Sequence, residues 1–142
     1  MGKDKNIVQV GVASWIFNPD EEVLLGRRIG SHGAMTWAPP GGHMEFGESP
    51  IETVLRETAE ETGIILLPLD IHIVGITNDV FDLENRHYVT IHCVTGLDFG
   101  ANPKIMEPKK CAEWRWFSLS QMPQNMFLPA AKFVKYVIAN TK

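Results

Sequence analysis

The sequence predicts an α/β fold in which a mixed β-sheet is packed between helices, and three observations carry that expectation. Apolar, β-branched runs lie both before and after a central helical stretch, that stretch carries its own start and stop signals, and an apolar-striped helical segment ends the chain. A length of 142 residues, 44% of them hydrophobic and 21% charged, fits one globular domain over residues 1–142.

The elements follow in order. "IVQVGVASWIF" (7–17) and "EEVLLGRR" (21–28) flank the turn-forming "NPDE" and read as a hairpin. The stretch from 29 to 50, rich in glycine and proline, reads as too irregular for either regular structure and long enough to be functional. A helix is expected over about 50–62. Ser49 and Glu52 are spaced as a capping box, Pro50 sits where its missing N–H costs nothing, and Gly63 can close the helix. Its core face is expected to carry Ile51, Leu55, Thr58 and Thr62. "LDIHIVGITNDVF" (69–81) and "HYVTIHCVTGL" (87–97) read as a second hairpin, and "AEWRWFS" (112–118) as a shorter strand. In "FLPAAKFVKYVIAN" (127–140), Phe133, Val134, Val137 and Ile138 form one helical stripe.

A formal charge of -4 argues against bulk attraction to nucleic acid or to an anionic membrane. No apolar run reaches the ~18 residues a membrane helix needs. "MGKDKN" lacks a secretory signal and breaks the myristoylation pattern at Asn6. The two cysteines, Cys93 and Cys111, have no zinc or redox spacing. A reduced, cytoplasmic setting is the expectation.

The chemistry is concentrated in "RETAEETGI" (56–64). Glu57, Glu60 and Glu61 project within about 100 degrees of one another on a helix, at the end where the helix dipole least favours negative charge. On an open surface such an acidic face is simply solvated, at a few tenths of a kcal/mol per like-charge pair. Inside a cleft, two carboxylates about 5.5 Å apart repel by roughly 3 kcal/mol at an effective dielectric near 20. Arg56 alone does not offset three acids there, and an all-oxygen site then favours a hard divalent ion such as Mg2+. The flexible Gly41 and Gly42 lie immediately upstream and can fold against these carboxylates, bringing backbone carbonyls with them.

Gly42, Glu48, Arg56, Glu57, Glu60, Glu61 and Gly63 match every fixed position of the signature of the Nudix (MutT-like) hydrolases, in which a Gly, five residues and a Glu precede, after seven more, R-E-U-x-E-E-x-G-U. A chance match is on the order of one in 10^8 per starting position. Thr58 departs from the bulky aliphatic U position. "GGHMEFGE", "HYVTI" and "EP" followed by "EWRW" further resemble the Nudix-type motif 15 branch of nucleoside triphosphate diphosphatases.

The resemblance implies an α/β/α sandwich around a mixed sheet, with the signature at 42–64. It also implies attack of water at phosphorus with bound Mg2+ or Mn2+, and hydrolysis of nucleoside or deoxynucleoside triphosphates to monophosphate and pyrophosphate. Glu57, Glu61, Glu60 and the Gly41 carbonyl are the implied metal ligands, with Glu107 as an added carboxylate. Glu57 or Glu60 is implied to position the water. Glu48 and Arg56 form a supporting ion pair. Arg27 and Arg28 resemble a phosphate clamp, although strand alternation sends them to opposite faces. Lys109 and Lys110 are weaker versions of the same idea.

Trp37, Pro39, Thr90 and Phe127 fall at base-pocket positions, and His43 follows the signature glycine and can reach phosphate. His72 and His92 read as structural, and His32 and His87 are undecided. Asn78 stands where ADP-ribose-acting branches tend to carry proline. The expected partner is thus a small nucleotide, with no membrane or nucleic acid, and a homodimer is left open. ADP-ribose, a nucleotide sugar or a pterin triphosphate is the alternative substrate class, and a non-catalytic nucleotide-binding module the alternative function.

Overall fold

The computed structural model describes residues 6–30, 32–97 and 100–139. Residues 1–5, Ser31 and Asn140 of the segments above lie outside these, as does the side chain of Ile138. The elements are β1 (Val8–Phe17), β2 (Glu22–Arg28), β3 (Trp37–Ala38), β4 (Gly41–His43), α1 (Pro50–Thr62), β5 (His72–Phe81), β6 (Arg86–Gly96), β7 (Cys111–Ser118) and α2 (Leu128–Ala139). Among the described residues no helix is long and apolar enough to cross a membrane.

The seven strands form one mixed sheet. β1 runs parallel to β6 along its whole length, β5 pairs antiparallel with β6, and β7 pairs antiparallel with β2. The β1–β2 hairpin forms as expected at its turn, where the Asn18 carboxamide oxygen accepts from the Asp20 and Glu22 amides at 3.0 and 2.9 Å. Its strands pair only at that mouth, Phe17 against Val23. Farther along, residues 37–43 enter between them. β3 pairs with β2 and β4 with β1, so the stretch expected to be wholly irregular contributes two short strands. Strands of two and three residues have no periodicity of their own to detect, because pairing with distant partners creates them.

Alternation along β1 and β2 sends consecutive residues to opposite faces, and each face has its own core. Val12, Ile16 and Leu24 pack with Val54 of α1 and with Ile64, Leu66, Ile71 and Cys93. Ala13, Trp15, Val23, Leu25 and Trp37 pack with Ala130 and Phe133 of α2, joined by Val134 and Val137. This is the expected α/β/α arrangement. Removing a side chain such as Leu24 from such an interior costs about 2–5 kcal/mol.

Helix α1 spans the predicted residues. The Glu52 amide donates to Ser49 Oγ at 3.1 Å, the Ser49 amide donates to Glu52 Oε1 at 2.8 Å, and Gly63 ends the helix at φ 79°. Its fully buried residues are Thr53, Val54, Thr58 and Thr62, while Ile51 and Leu55 are only partly covered, a rotation of the expected core face. The hydroxyls explain why threonine is tolerated there. Thr58 donates to the buried Ser14 Oγ at 3.2 Å, and Thr62 donates to the Thr58 carbonyl at 2.7 Å. Strand β5 begins at His72 rather than at Leu69, because Pro68–Asp70 turn as a short 3-10 helix.

Candidate active site

A cavity of about 550 Å3 opens where β1 and β2 diverge around β3 and β4. One wall is the C-terminal half of α1, presenting Glu57 and Glu61 next to Gly41 and Gly42. Fit here is close. A Cβ on Gly42 would lie 2.2 Å from Glu57 Oε2, and one on Gly41 would lie 2.1 Å from the Val12 carbonyl oxygen. Only glycine lets β4 lie between β1 and the acid-bearing helix.

The carboxylates on and just before α1 divide into two groups. Arg56 gathers the first, donating from Nε and Nη2 to both oxygens of Glu48 at 2.6 and 3.0 Å, from Nη2 to the His43 carbonyl at 3.0 Å, and from Nη1 to Glu57 and Glu60 at 3.3 and 3.2 Å. This planar fork holds the acidic loop against the helix. It lowers the Glu48 pKa to about 2. Glu60 turns outward toward Arg56, half exposed, and does not line the cavity.

Glu61 belongs to the second group. Its Oε1 accepts from the Gly41 amide at 2.9 Å, so Gly41 meets this glutamate through its N–H. Burial pushes the Glu61 carboxyl up to about 8, the Gly41 hydrogen bond opposes that rise, and the nearby Glu57 and Glu107 add to it. Burial also raises Glu57, against the pull of Arg56. Across the cavity Arg28 donates from Nε and Nη2 to the His32 carbonyl at 3.2 and 3.1 Å and lies 4.1 Å above the Phe127 ring. Burial lowers its pKa, and the field of Glu61 partly restores it.

The donor set suits a hard cation: oxygen ligands only, with Glu57, Glu61 and Glu107 on one cavity and Arg28 as the cation that faces Glu61. Among the described residues no three His, Cys, Asp or Glu side chains already converge into a closed ligand cluster.

At the far end the cavity becomes aromatic. Phe81 and Phe127 stack at 5.4 Å, His32 meets both edge-on at 4.6 and 5.2 Å, and Tyr88 stacks on His43 at 5.3 Å. His43 Nε2 and the Tyr88 hydroxyl are 3.0 Å apart. His32 is also hydrogen-bonded to Glu84. Pro39, Thr90, Lys109 and Lys110 line the walls.

Trp37 corrects the expectation of a base-stacking role. It is buried in the α2-side core, edge-on to Phe117 at 5.0 Å with Arg115 over its ring, and does not line the cavity. Arg27 reaches the cavity rim but is bonded to Glu113 at 3.4 Å, leaving Arg28, partly buried, as the arginine whose field meets Glu61. Of the histidines left undecided, His32 lines the cavity, while His87 bonds Asn78 at 2.6 Å. His92 is buried and His72 exposed on the edge strand β5.

Sequence reading missed Phe81, Tyr88 and Arg86, which also line the cavity. The alternation in "HYVTIH" held a usable signal, because it places Tyr88, Thr90 and His92 on one face of β6.

The family model described as the NUDIX domain matches residues 8–138. The chain belongs to the NUDIX family. It is 37% identical over 116 residues to the m7GpppN-mRNA hydrolase NUDT17 of Xenopus laevis, an alignment covering 76% of this chain and 38% of that protein. The chain spans between 32% and 45% of the length of the curated relatives it matches.

Among solved structures, this chain is similar to the MutT NUDIX hydrolase of Burkholderia pseudomallei (TM-score 0.82, 26% identity, covering 93% of this chain and 99% of that one). It is also similar to the MutT protein of Methanosarcina mazei Go1 (TM-score 0.81, 28% identity, covering 99% and 100%).

Proposed function

We propose that this Nudix hydrolase cleaves nucleoside or deoxynucleoside triphosphates to the monophosphate and pyrophosphate with Mg2+, or Mn2+ in its place, a reaction suited to clearing unwanted nucleotides from the pool. The observation that carries it is the polarity of this cavity: partly buried carboxylates at one end, Arg28 between, and aromatic rings at the other.

A triphosphate carries about four negative charges and repels an attacking water until cations neutralise its oxygens. A divalent ion bound here would supply that neutralisation and favour ionised water near neutral pH. Glu57, Glu61 and Glu107 would hold it, together with Glu60 if its side chain leaves Arg56, and with the Gly41 carbonyl. The chain's own residues do the rest. Arg28 attracts phosphate oxygens, with His43, Lys109 and Lys110 at the walls. Glu57, or Glu60 if its side chain leaves Arg56, takes the proton of the attacking water. Arg56 and Glu48 fix the loop so that these groups keep their places. Pro39, Thr90 and Phe127 receive the base.

The likeness to an m7GpppN-mRNA hydrolase favours a second reading, a substrate with another group beyond the diphosphate. Assaying pyrophosphate and monophosphate release from the common ribo- and deoxyribonucleoside triphosphates with Mg2+, beside m7GpppN-mRNA and ADP-ribose, separates the two. Pyrophosphate release from a triphosphate at the highest kcat/KM supports the leading reading. Turnover confined to the other compounds transfers support to the second, and nucleotide binding without any turnover would make the protein a binding module.

A further inference from the structure

Beneath the aromatic pocket runs a buried chain of polar side chains that the catalytic scheme leaves unused. The Trp15 indole, which can only donate, gives its N–H to His92 Nδ1 at 3.0 Å. His92 is fully buried, and that burial lowers its pKa to about 4, so the ring is neutral and carries its proton on Nε2. That proton goes to Thr77 Oγ1 at 2.9 Å. The Thr77 hydroxyl must therefore donate onward, and it does so to Asp79 Oδ2 at 2.8 Å. The same oxygen accepts from Thr90 Oγ1 at 2.8 Å.

Asp79 is 0% exposed; its other oxygen has no hydrogen bond and lies 3.7 Å from the Lys132 ammonium, which balances the charge. The Trp15 donor sets the direction of each bond in the chain as far as Asp79, and the carboxylate, paired with Lys132, accepts from Thr90. Of its members, Thr90 is the one on the cavity wall.

We propose that Asp79 is a positioning residue that commits the Thr90 proton inward, so Thr90 Oγ1 offers the nucleotide base only lone pairs and selects a base edge bearing an N–H donor. A base presenting a carbonyl there would meet acceptor against acceptor, with no proton between them. Sites that hydrogen-bond a substrate group discriminate far more sharply than apolar pockets. This inference rests on the base lying in the aromatic pocket, as the proposed function has it.

The test compares wild type, Thr90→Val and Thr90→Ser with pairs of triphosphates that differ by one amino donor: GTP with ITP, and ATP with purine riboside triphosphate. For the wild type, deleting the amino group should raise KM about tenfold in at least one pair, with kcat little changed. Thr90→Val should erase that difference, and Thr90→Ser should keep it. Asp79→Asn, whose carbonyl still accepts both hydroxyls, should keep the preference, and Asp79→Leu should relax it by freeing the Thr90 proton.

An amino-group preference as large in Thr90→Val as in wild type overturns the proposal, and so does the absence of any preference in wild type. Calorimetric binding of the same four nucleotides without metal separates the two levels. Binding that discriminates without turnover sinks the triphosphatase reading and upholds Thr90, whereas failure of all four to bind sinks the proposal. Should Asp79→Leu not fold, the Thr90 pair decides alone.

Discussion

Glu48 and Glu61 stand 13 positions apart within the signature, and the protein treats them in opposite ways. Glu48 is clasped by both arms of a guanidinium and its pKa falls to about 2; Glu61 is buried with one backbone N–H for company and its pKa rises to about 8. The first carboxylate is compensated within the chain and holds structure. The second is left short of positive charge, the condition in which a buried acid takes up a proton or a cation. The chain keeps its arginine fork for the loop and leaves the cavity acids for something that arrives from solution.

Breaking each side of that contrast should give different phenotypes. Glu61→Gln should lower kcat by at least about a hundredfold with the melting temperature little changed, since it removes a ligand charge without opening a void. A variant that melts early instead would make Glu61 structural.

The adjacent glycines sharpen the same contrast. Gly41→Ala drives a Cβ into the Val12 backbone and should cost about 1–3 kcal/mol of stability. Gly42→Ala meets the movable end of Glu57 and should lower activity roughly tenfold or more while stability holds. Denaturant titration beside turnover separates the pair, and equal stability losses would contradict the assignment.

Arg56→Lys keeps the charge but not the fork, and should destabilise the loop by about 1 kcal/mol. Restoration of wild-type melting by the lysine would show that charge alone suffices.

The smallest effect is in the pH dependence of stability without metal. The raised Glu61 pKa contributes stability that is present below about 4.5, its ordinary value, and lost as pH rises through about 8. The depressed Glu48 pKa contributes stability present above about 4.5 and lost as pH falls toward about 2. Melting curves of Glu61→Gln should lose the alkaline slope and keep the acid one; the reverse pattern would refute the assignment.

Helix α1 was legible residue by residue because its signals are local: a capping box, an N1 proline and a terminal glycine all act within one turn. The three-glutamate stripe was legible only coarsely. Positions 57, 60 and 61 share about a quarter of the helix circumference, and Arg56, four residues before Glu60, decides which of them turns outward. Trp37 and Phe127 looked alike as aromatic pocket candidates. Trp37 is claimed by Phe117 and Arg115 from a distant strand, while Phe127 is held at the cavity by Arg28 and Phe81. The Asp79 network joins β1, β5 and β6, so no spacing within one segment announces it.

Calorimetric titration of Mg2+ and of Mn2+ into the protein at pH 7, repeated in buffers of different ionisation enthalpy, tests the central claim most directly. A divalent ion should bind with release of a proton, because Glu61 must ionise to receive it, and Glu61→Gln should weaken binding at least about a hundredfold and abolish the release. Absence of binding by the wild type, or equal affinity in Glu61→Gln, would contradict the account.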